Sequence, residues 1–494
     1  MSAPIDLNPA ALPAITEASV PAYDRAAVRP GIVHFGVGGF HRAHQAVYVD
    51  RLLAAGADAA GWGICGVGLR PADEAMRDAL LPQGGLYTLT LKHPDGAVET
   101  SVVGSIVDYL YAPDDARAVL ERLAAPETRI VSLTITEGGY NFSAVTGEFD
   151  AETADVRHDL ESGASPRTVF GYVTEALRRR RDRGVPAFTV MSCDNIEGNG
   201  HVARRTLTAF ARLADPALAD WITEHVRFPN SMVDRITPAT PPGLREEVAT
   251  RTGVEDRWPV VAEPYTQWML EDAFGAGRPR FEDVGVQVVD DVEPYELMKL
   301  RLLNAGHQGL GHFARLLGYE YVHDAAADLD VRELLRRYMQ EEARPTLRPV
   351  PGIDLDDYIQ TLLDRFSNPA IADTVARLCQ DASDRIPKWL VPVIVARLDE
   401  GAAAPLAAAV VAAWTHGCEG LDDAGAAIVL NDRAADDLTR RALRSRTDPL
   451  AFVAVPDLFG DLADRPGFTE PYLATLAALR ETGARAVLRD LLAR

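Results

Sequence analysis

Apolar residues follow two different rhythms along this chain. In the first half, short continuous apolar runs alternate with stretches of helical spacing. Residues 31–36, 62–68 and 186–192 read as buried strands, and 129–136 is a continuous β-branched run, as in a central parallel strand covered on both faces. Residues 86–92 and 97–103 look like a hairpin turned by Pro94-Asp95-Gly96. Helices are predicted over 42–54 and over 166–183, the second ending in a basic cluster before Gly184. Strands alternating with helices of this length predict a doubly wound α/β domain.

The rhythm changes after residue 289. From Pro294 onward the spacing is helical and rich in Ala and Leu, as in 402–414, 433–444 and 470–494. The second domain is therefore expected to be mostly α-helical. The acidic stretch 281–293 is the crossing point, which puts the domains at 1–288 and 289–494.

Length and charge narrow the function. A chain of 494 residues is too long for one ordinary core, so two large domains fit. With 50 basic and 72 acidic side chains the net charge is −22, a field that repels phosphate backbones and argues against nucleic acid as a partner. The four cysteines lie far apart and form no CxxC pair, so neither a disulfide framework nor a zinc knuckle is signalled. The first 30 residues lack a basic start followed by an apolar stretch, so no secretory leader is read. The longest apolar run, 402–414, is interrupted by Pro405 and falls short of the ~20 residues a membrane crossing needs. A cytoplasmic chain without a membrane partner is expected.

Candidate chemistry begins at Gly36-Val-Gly38-Gly39-Phe40-His41-Arg42, which follows a strand and opens a helix. Glycines there let backbone approach a pyrophosphate, and the N–H groups of a helix start face its charge. His41 occupies the place of the third glycine of GxGxxG, so a tight strand–helix turn is the competing reading. His41 and Arg42 would add hydrogen bonds to phosphate, or simply lie solvated at the surface. Asp73 and Glu74 follow the second strand, where an acid would hold the adenosine ribose. Both also suit the start of the helix after Pro71.

Further on, Lys299, Asn304 and His307 share one helical stretch with Leu300 and Leu303. At roughly 100° per residue the three polar side chains fall within an arc of about 140°, with His307 between the other two. Such groups are costly to bury among leucines without a purpose, and a desolvated lysine can act as a base near neutrality. The competing reading is a snorkelling lysine and a hydrogen-bonded core histidine. Thr136-Glu137-Gly-Gly-Tyr140 and Ser192-Cys-Asp194-Asn195 end strands, where open α/β sheets bind their ligands. Glu137 and Asn195 are thus candidates for the nicotinamide and substrate region, although Asp194-Asn195 also suits an Asx turn or helix cap.

These segments, together with Phe228 to Pro238, resemble the mannitol dehydrogenase family, in order and over nearly the whole chain. The glycine motif that departs from GxGxxG is that family's own form. The resemblance implies a Rossmann-type doubly wound N-terminal domain, an α-helical C-terminal domain and an active site between them. It implies an NAD-dependent, metal-independent oxidoreductase that converts a polyol, D-mannitol, to a keto sugar, D-fructose, and back. Lys299 is then the general acid/base, and Asn195 and Asn304 hydrogen-bond the reacting oxygen. His307, Asp234 and Arg377 contact the substrate, Glu296 lies on the proton's path to solvent, and Asp73 holds the ribose. Gly36, Gly38, Gly39, Phe40, His41, Arg42 and Glu137 serve the cofactor. Arg385 stands where relatives carry lysine, in Ala382-Ser-Asp-Arg385, which leaves the far end of the substrate open. The partner is a small polyol or keto sugar, and the chain is expected to act as a monomer. Rival readings are a dehydrogenase of arabinitol or another pentitol, a hexuronate (fructuronate) reductase with Arg377 and Arg385 as a carboxylate clamp, or an inactive NAD-binding regulator. The intact Lys299, Asn304, His307 and Asn195 set argues against the last.

Overall fold

Four apolar runs of the first half, joined by a strand at Ile106–Tyr111 that was not predicted, form a five-stranded parallel sheet: β1 (Pro30–Phe35), β2 (Gly63–Gly68), β3 (Ile106–Tyr111), β4 (Ile130–Leu133) and β5 (Thr189–Ser192), in the order β3-β2-β1-β4-β5. The computed structural model describes residues 4–142, 148–161 and 163–493. They divide into two units, Met1–Glu293 and Pro294–Arg494.

In the first unit, alternate residues of the sheet feed two separate cores. Ile32, Ile64 and Ile130 pack on one face with Val49, Leu52 and Leu53. Val33, Phe35, Cys65, Val67, Val131 and Leu133 pack on the other with Val119, Val173 and Leu177. All four residues of β4 are buried, and its three aliphatic side chains, Ile130, Val131 and Leu133, each contribute about 1.5–3 kcal/mol relative to exposure. The chain leaves central β1 for β2 and β3 on one side, then returns to β4 and β5 on the other. Doubly wound sheets bind ligands at that reversal, beyond the carboxyl ends of the strands.

The predicted hairpin is present as Tyr87–Lys92 paired antiparallel with Val98–Val103, and Val260–Ala262 joins it in parallel. A third sheet joins Ser231–Asp234 to Gln267–Glu271 and then to Gln287–Val289. That last strand carries the first unit past residue 288, so the division falls at Glu293/Pro294 and a few residues later than expected. The helix expected over 42–54 is two, α1 (Gly39–Ala43) and α2 (Gln45–Ala55). His44 breaks it with φ −125° and ψ −90° while its Nε2 lies 2.9 Å from the Gln267 carbonyl.

The second unit is helical throughout, around a buried helix Pro405–Gly417 that packs on Ala305–Leu316 and Pro466–Leu492. Two of its helical segments are π-helices, Lys299–Asn304 and Tyr338–Ala343. No described helix is long and apolar enough to cross a membrane.

Candidate active site

At the carboxyl end of β1, Gly36 has φ +91°, and a Cβ there would sit 2.0 Å from the Thr134 carbonyl oxygen. Its own carbonyl accepts from Thr134 Oγ1 at 2.7 Å and has His34 Nε2 at 3.2 Å. Gly36 is therefore demanded by the turn itself. Gly38 and Gly39 are different. A Cβ at Gly38 would meet only the Gly36 oxygen at 3.8 Å, and one at Gly39 only two methyl groups at 3.7 and 3.9 Å. The fold alone does not require glycine at either position, but a pyrophosphate approaching the backbone would. Gly38 is exposed, Phe40 is half-buried, and the first-turn amides of Gly39 and Phe40 have no acceptor within the helix. This turn fits a dinucleotide.

His41 and Arg42 do not serve phosphate as expected, nor are they solvated; both side chains turn into the core. His41 stacks on His34 with ring centroids 3.4 Å apart, and its Nδ1 lies 3.1 Å from Gln45 Oε1. Burial holds His41 well below the usual imidazole range and His34 at about 3, so both rings are neutral near pH 7. Arg42 donates to the Trp258 carbonyl at 2.5 Å and lies 5.3 Å from the Tyr87 ring centroid. The physical reason is the short α1: its third and fourth residues already belong to the buried face.

Asp73 sits at the carboxyl end of β2, close enough that a Cβ on Gly68 would come within 2.8 Å of its own. Its Oδ2 accepts the N–H groups of Leu69 and Arg70, both at 2.9 Å. The helix-start role is thus realised through Oδ2. Glu74 is exposed and paired with Arg77 at 3.0 Å.

Beyond β4, Glu137 is exposed in the short helical turn Glu137–Tyr140. Asp194, beyond β5, organises this turn: its carboxylate accepts from Ile135 N at 3.1 Å, Thr136 N at 2.7 Å and the Tyr140 hydroxyl at 2.7 Å. Burial raises the Asp194 carboxyl, and those three donors work against the rise. Asn195 follows directly and is exposed. Asn199 ties this strand end to the next sheet, donating to the Asp194 carbonyl at 2.9 Å and the Ser231 carbonyl at 2.7 Å. Asp234 closes the strand that Ser231 opens and is 4% exposed, opposite Gln267. The clamp by Asp194 escaped the sequence reading; its only signal was its place beside Asn195 in Ser192-Cys-Asp-Asn195.

In the second unit Glu296, Lys299 and Asn304 are all buried, at 6%, 7% and 5% exposure, and His307 is half-buried with its ring 4.5 Å from that of Phe366. The α-helical arc expected for these groups is not the one formed. A π-helix bonds residue i to i+5, so Lys299 and Asn304 fall near one face, and the three side chains crowd into a narrower arc. Asn304 Nδ2 is a buried donor without an acceptor among the described residues. Such an amide is costly unless a ligand oxygen meets it.

Arg377 forms a two-point pair with Asp373, and Arg385 donates to the carbonyls of Arg377 and Leu378 at 3.1 and 3.3 Å. The structure brings the two arginines together, but the charge of Arg377 is already matched. Among the described residues no three His, Cys, Asp or Glu are grouped to hold a metal ion.

Known proteins match this arrangement along its length. Residues 30–283 match the family described as the mannitol dehydrogenase Rossmann domain, and 291–480 the mannitol dehydrogenase C-terminal domain. A mannitol 2-dehydrogenase of Phaeosphaeria nodorum is 45% identical over 490 residues, covering 98% of this chain and 85% of its own. The Pseudomonas fluorescens mannitol 2-dehydrogenase, solved as a ternary complex with NAD and D-mannitol, superposes with a TM-score of 0.90 at 46% identity, covering 99% of this chain and 100% of that one. A substrate-free D-sorbitol dehydrogenase gives 0.91 at 38% identity, covering 98% and 100%. Both halves of the chain thus carry the same kinship, and the chain belongs to the mannitol dehydrogenase family.

Proposed function

We propose that this chain is an NAD-dependent polyol dehydrogenase that oxidises D-mannitol to D-fructose and catalyses the reverse reduction. The observation that carries the reading is the buried Lys299 on one face of a π-helix with Asn304, whose amide N–H lacks an acceptor. Lys299 in its neutral form accepts the hydroxyl proton at Nζ, and in reduction its ammonium returns it. Asn195 and Asn304 donate to the substrate oxygen and stabilise the alkoxide as it develops. His307 and Asp234 hold neighbouring hydroxyls, Arg377 and Arg385 border the far end of the substrate, and Glu296, one turn before Lys299, relays the proton toward solvent. Gly36, Gly38, Gly39 and Phe40 shape the cofactor turn, with Glu137 beside the nicotinamide and Asp73 at the ribose. When bound, NAD supplies the hydride acceptor. An amine and two amides do the work of a Lewis acid, so the reading needs no metal.

The two-point Arg377–Asp373 pair speaks against a carboxylate substrate, because a guanidinium already matched by an acid is a poor clamp for another. We place the enzyme in the cytoplasm, where its four buried, unbridged cysteines suit a reducing medium, and read it as a monomer. NADH absorbance with D-mannitol, D-sorbitol, D-arabinitol, D-fructose and fructuronate tests the proposal. Turnover of D-mannitol and D-fructose above the others is expected. Preference for fructuronate or arabinitol would move the substrate assignment, and no turnover of any would overturn the enzyme reading.

A further inference from the structure

The carboxyl ends of β1, β4 and β5 are tied together through one short segment, residues 134–136. On one side of it, Thr134 Oγ1 donates to the Gly36 carbonyl at 2.7 Å, in the turn beyond β1. On the other, the N–H groups of Ile135 and Thr136 donate to the Asp194 carboxylate at 3.1 and 2.7 Å, beyond β5. The Tyr140 hydroxyl is the third donor to that carboxylate, at 2.7 Å, and Asp194 is 6% exposed. The segment therefore bridges the cofactor turn and the Asp194-Asn195 step, and Glu137 comes next in the chain. It is held against a backbone preference, because Thr136 has φ +60° and is β-branched. Asp194 is itself fixed from behind. Asn199, wholly buried, donates to its carbonyl at 2.9 Å and to the Ser231 carbonyl at 2.7 Å.

We propose that Asp194 is a positioning residue for the reaction: its carboxylate keeps Thr136 in the strained conformation and so sets Glu137 and Asn195 at a fixed spacing beside the cofactor turn. This rests on reading Asn195 as a donor to the reacting oxygen and Glu137 as a neighbour of the nicotinamide. Two successive backbone N–H groups taken by one carboxylate fix the direction in which the chain leaves β4. Without those acceptors Thr136 gains by returning to negative φ, a rotation of roughly 120°. Such a rotation redirects Glu137 and loosens its spacing from Asn195.

Asp194→Asn keeps the shape of the side chain and removes the charge that its three donors meet. In the full-length protein with NAD, kcat per folded enzyme for D-mannitol oxidation is expected to fall about 10- to 100-fold, the scale of a small misplacement of reacting groups. Glycine takes the positive-φ conformation without strain. In a Thr136→Gly background the fall caused by Asp194→Asn should therefore shrink by about fivefold or more, the low end of the strain that glycine removes. Asn195→Ala, measured alongside, separates the two claims. If Asn195→Ala keeps a wild-type kcat, the site reading fails and this inference falls with it. If Asn195→Ala is impaired while Asp194→Asn is not, only the role of Asp194 is overturned. A lower melting temperature with kcat per folded enzyme unmoved would make Asp194 a merely structural residue and overturn the proposal. A fall in kcat that Thr136→Gly does not relieve would overturn it too, since the bond to Thr136 would not be the route. Should Asp194→Asn fail to fold, Tyr140→Phe removes a single donor and keeps the ring. Its kcat should then fall, and a wild-type value would overturn the proposal.

Discussion

Asp194 holds Thr136 in a backbone conformation that side chains avoid: Thr136 has φ +60° and ψ 172°, and its N–H donates to Asp194 Oδ1 at 2.7 Å. This region belongs almost wholly to glycine and costs of order 1–3 kcal/mol for other residues. Thr136→Gly is therefore expected to raise the unfolding free energy by about 0.5–2 kcal/mol, the released strain less the ~0.5–1 kcal/mol that glycine costs through chain entropy. Denaturant unfolding checks it. A less stable variant would mean that the Thr136 side chain earns its place by contacts rather than being tolerated.

Replacing Lys299 with Ala should lower kcat by at least ~10²-fold, the low end for losing a general acid/base. NADH binding, followed by fluorescence titration, should hardly change. A variant with near-normal kcat would remove Lys299 from the mechanism.

Asp73→Ala should shift the ratio of kcat/KM values toward NADP. In the wild type a 2′-phosphate would face the carboxylate, at a cost of about 1 kcal/mol per charge pair at ~4 Å even in bulk water. Arg70, three residues earlier in the sequence, softens the preference. Measuring kcat/KM for both cofactors in both proteins decides the matter. An unchanged ratio would leave Asp73 as the cap of Leu69 and Arg70 alone, with Glu74 next to test.

Glu342 predicts a pH dependence of stability. Burial pushes its carboxyl up to about 7, against the N–H groups of Leu406 and Ala407, which pull it down. Since the folded state binds this proton more tightly than the unfolded chain, the group's contribution is fully present below pH ~4.5 and is lost as pH rises toward 7. Glu342→Gln should flatten the fall of the melting temperature across that window relative to wild type. Parallel curves for the two proteins would refute the assignment.

Prolonged dialysis against a chelator should leave turnover intact, because proton transfer and oxyanion stabilisation are assigned to Lys299, Asn195 and Asn304. Activity lost on dialysis and restored by zinc would contradict that chemistry.

The sequence and the structure agree where a single short-range rule governs. Short apolar runs became β1, β2 and β5, the β-branched run at 129–136 became β4, and Pro94-Asp95-Gly96 does turn a hairpin. The short strands around 231–234, 260–262, 267–271 and 287–289 escaped, because each is a few residues long and takes its order from its neighbours. In the site, the bare glycines 38 and 39 were legible from their place after a strand. The direction of His41 and Arg42 was not, since it depends on His34, Gln45 and Trp258, which only the fold brings near. The π geometry at Lys299 escaped because Leu, Arg and Asn are ordinary helix residues and nothing in their order marks a wider turn.

A π-turn holds one residue more than the α-turn it replaces, while the helix on either side keeps its heading. If one of residues 300–303 were lost, Lys299 and the present Asn304 would stand four apart, which in an α-helix is again one face. In genetic terms, the pair could arise from an ordinary helix by gain of a single codon, with Glu296 upstream and His307 downstream keeping their places on that face. Only the few side chains between would be dealt new directions, and among them only Arg301 has its carbonyl bonded to the Tyr338 hydroxyl.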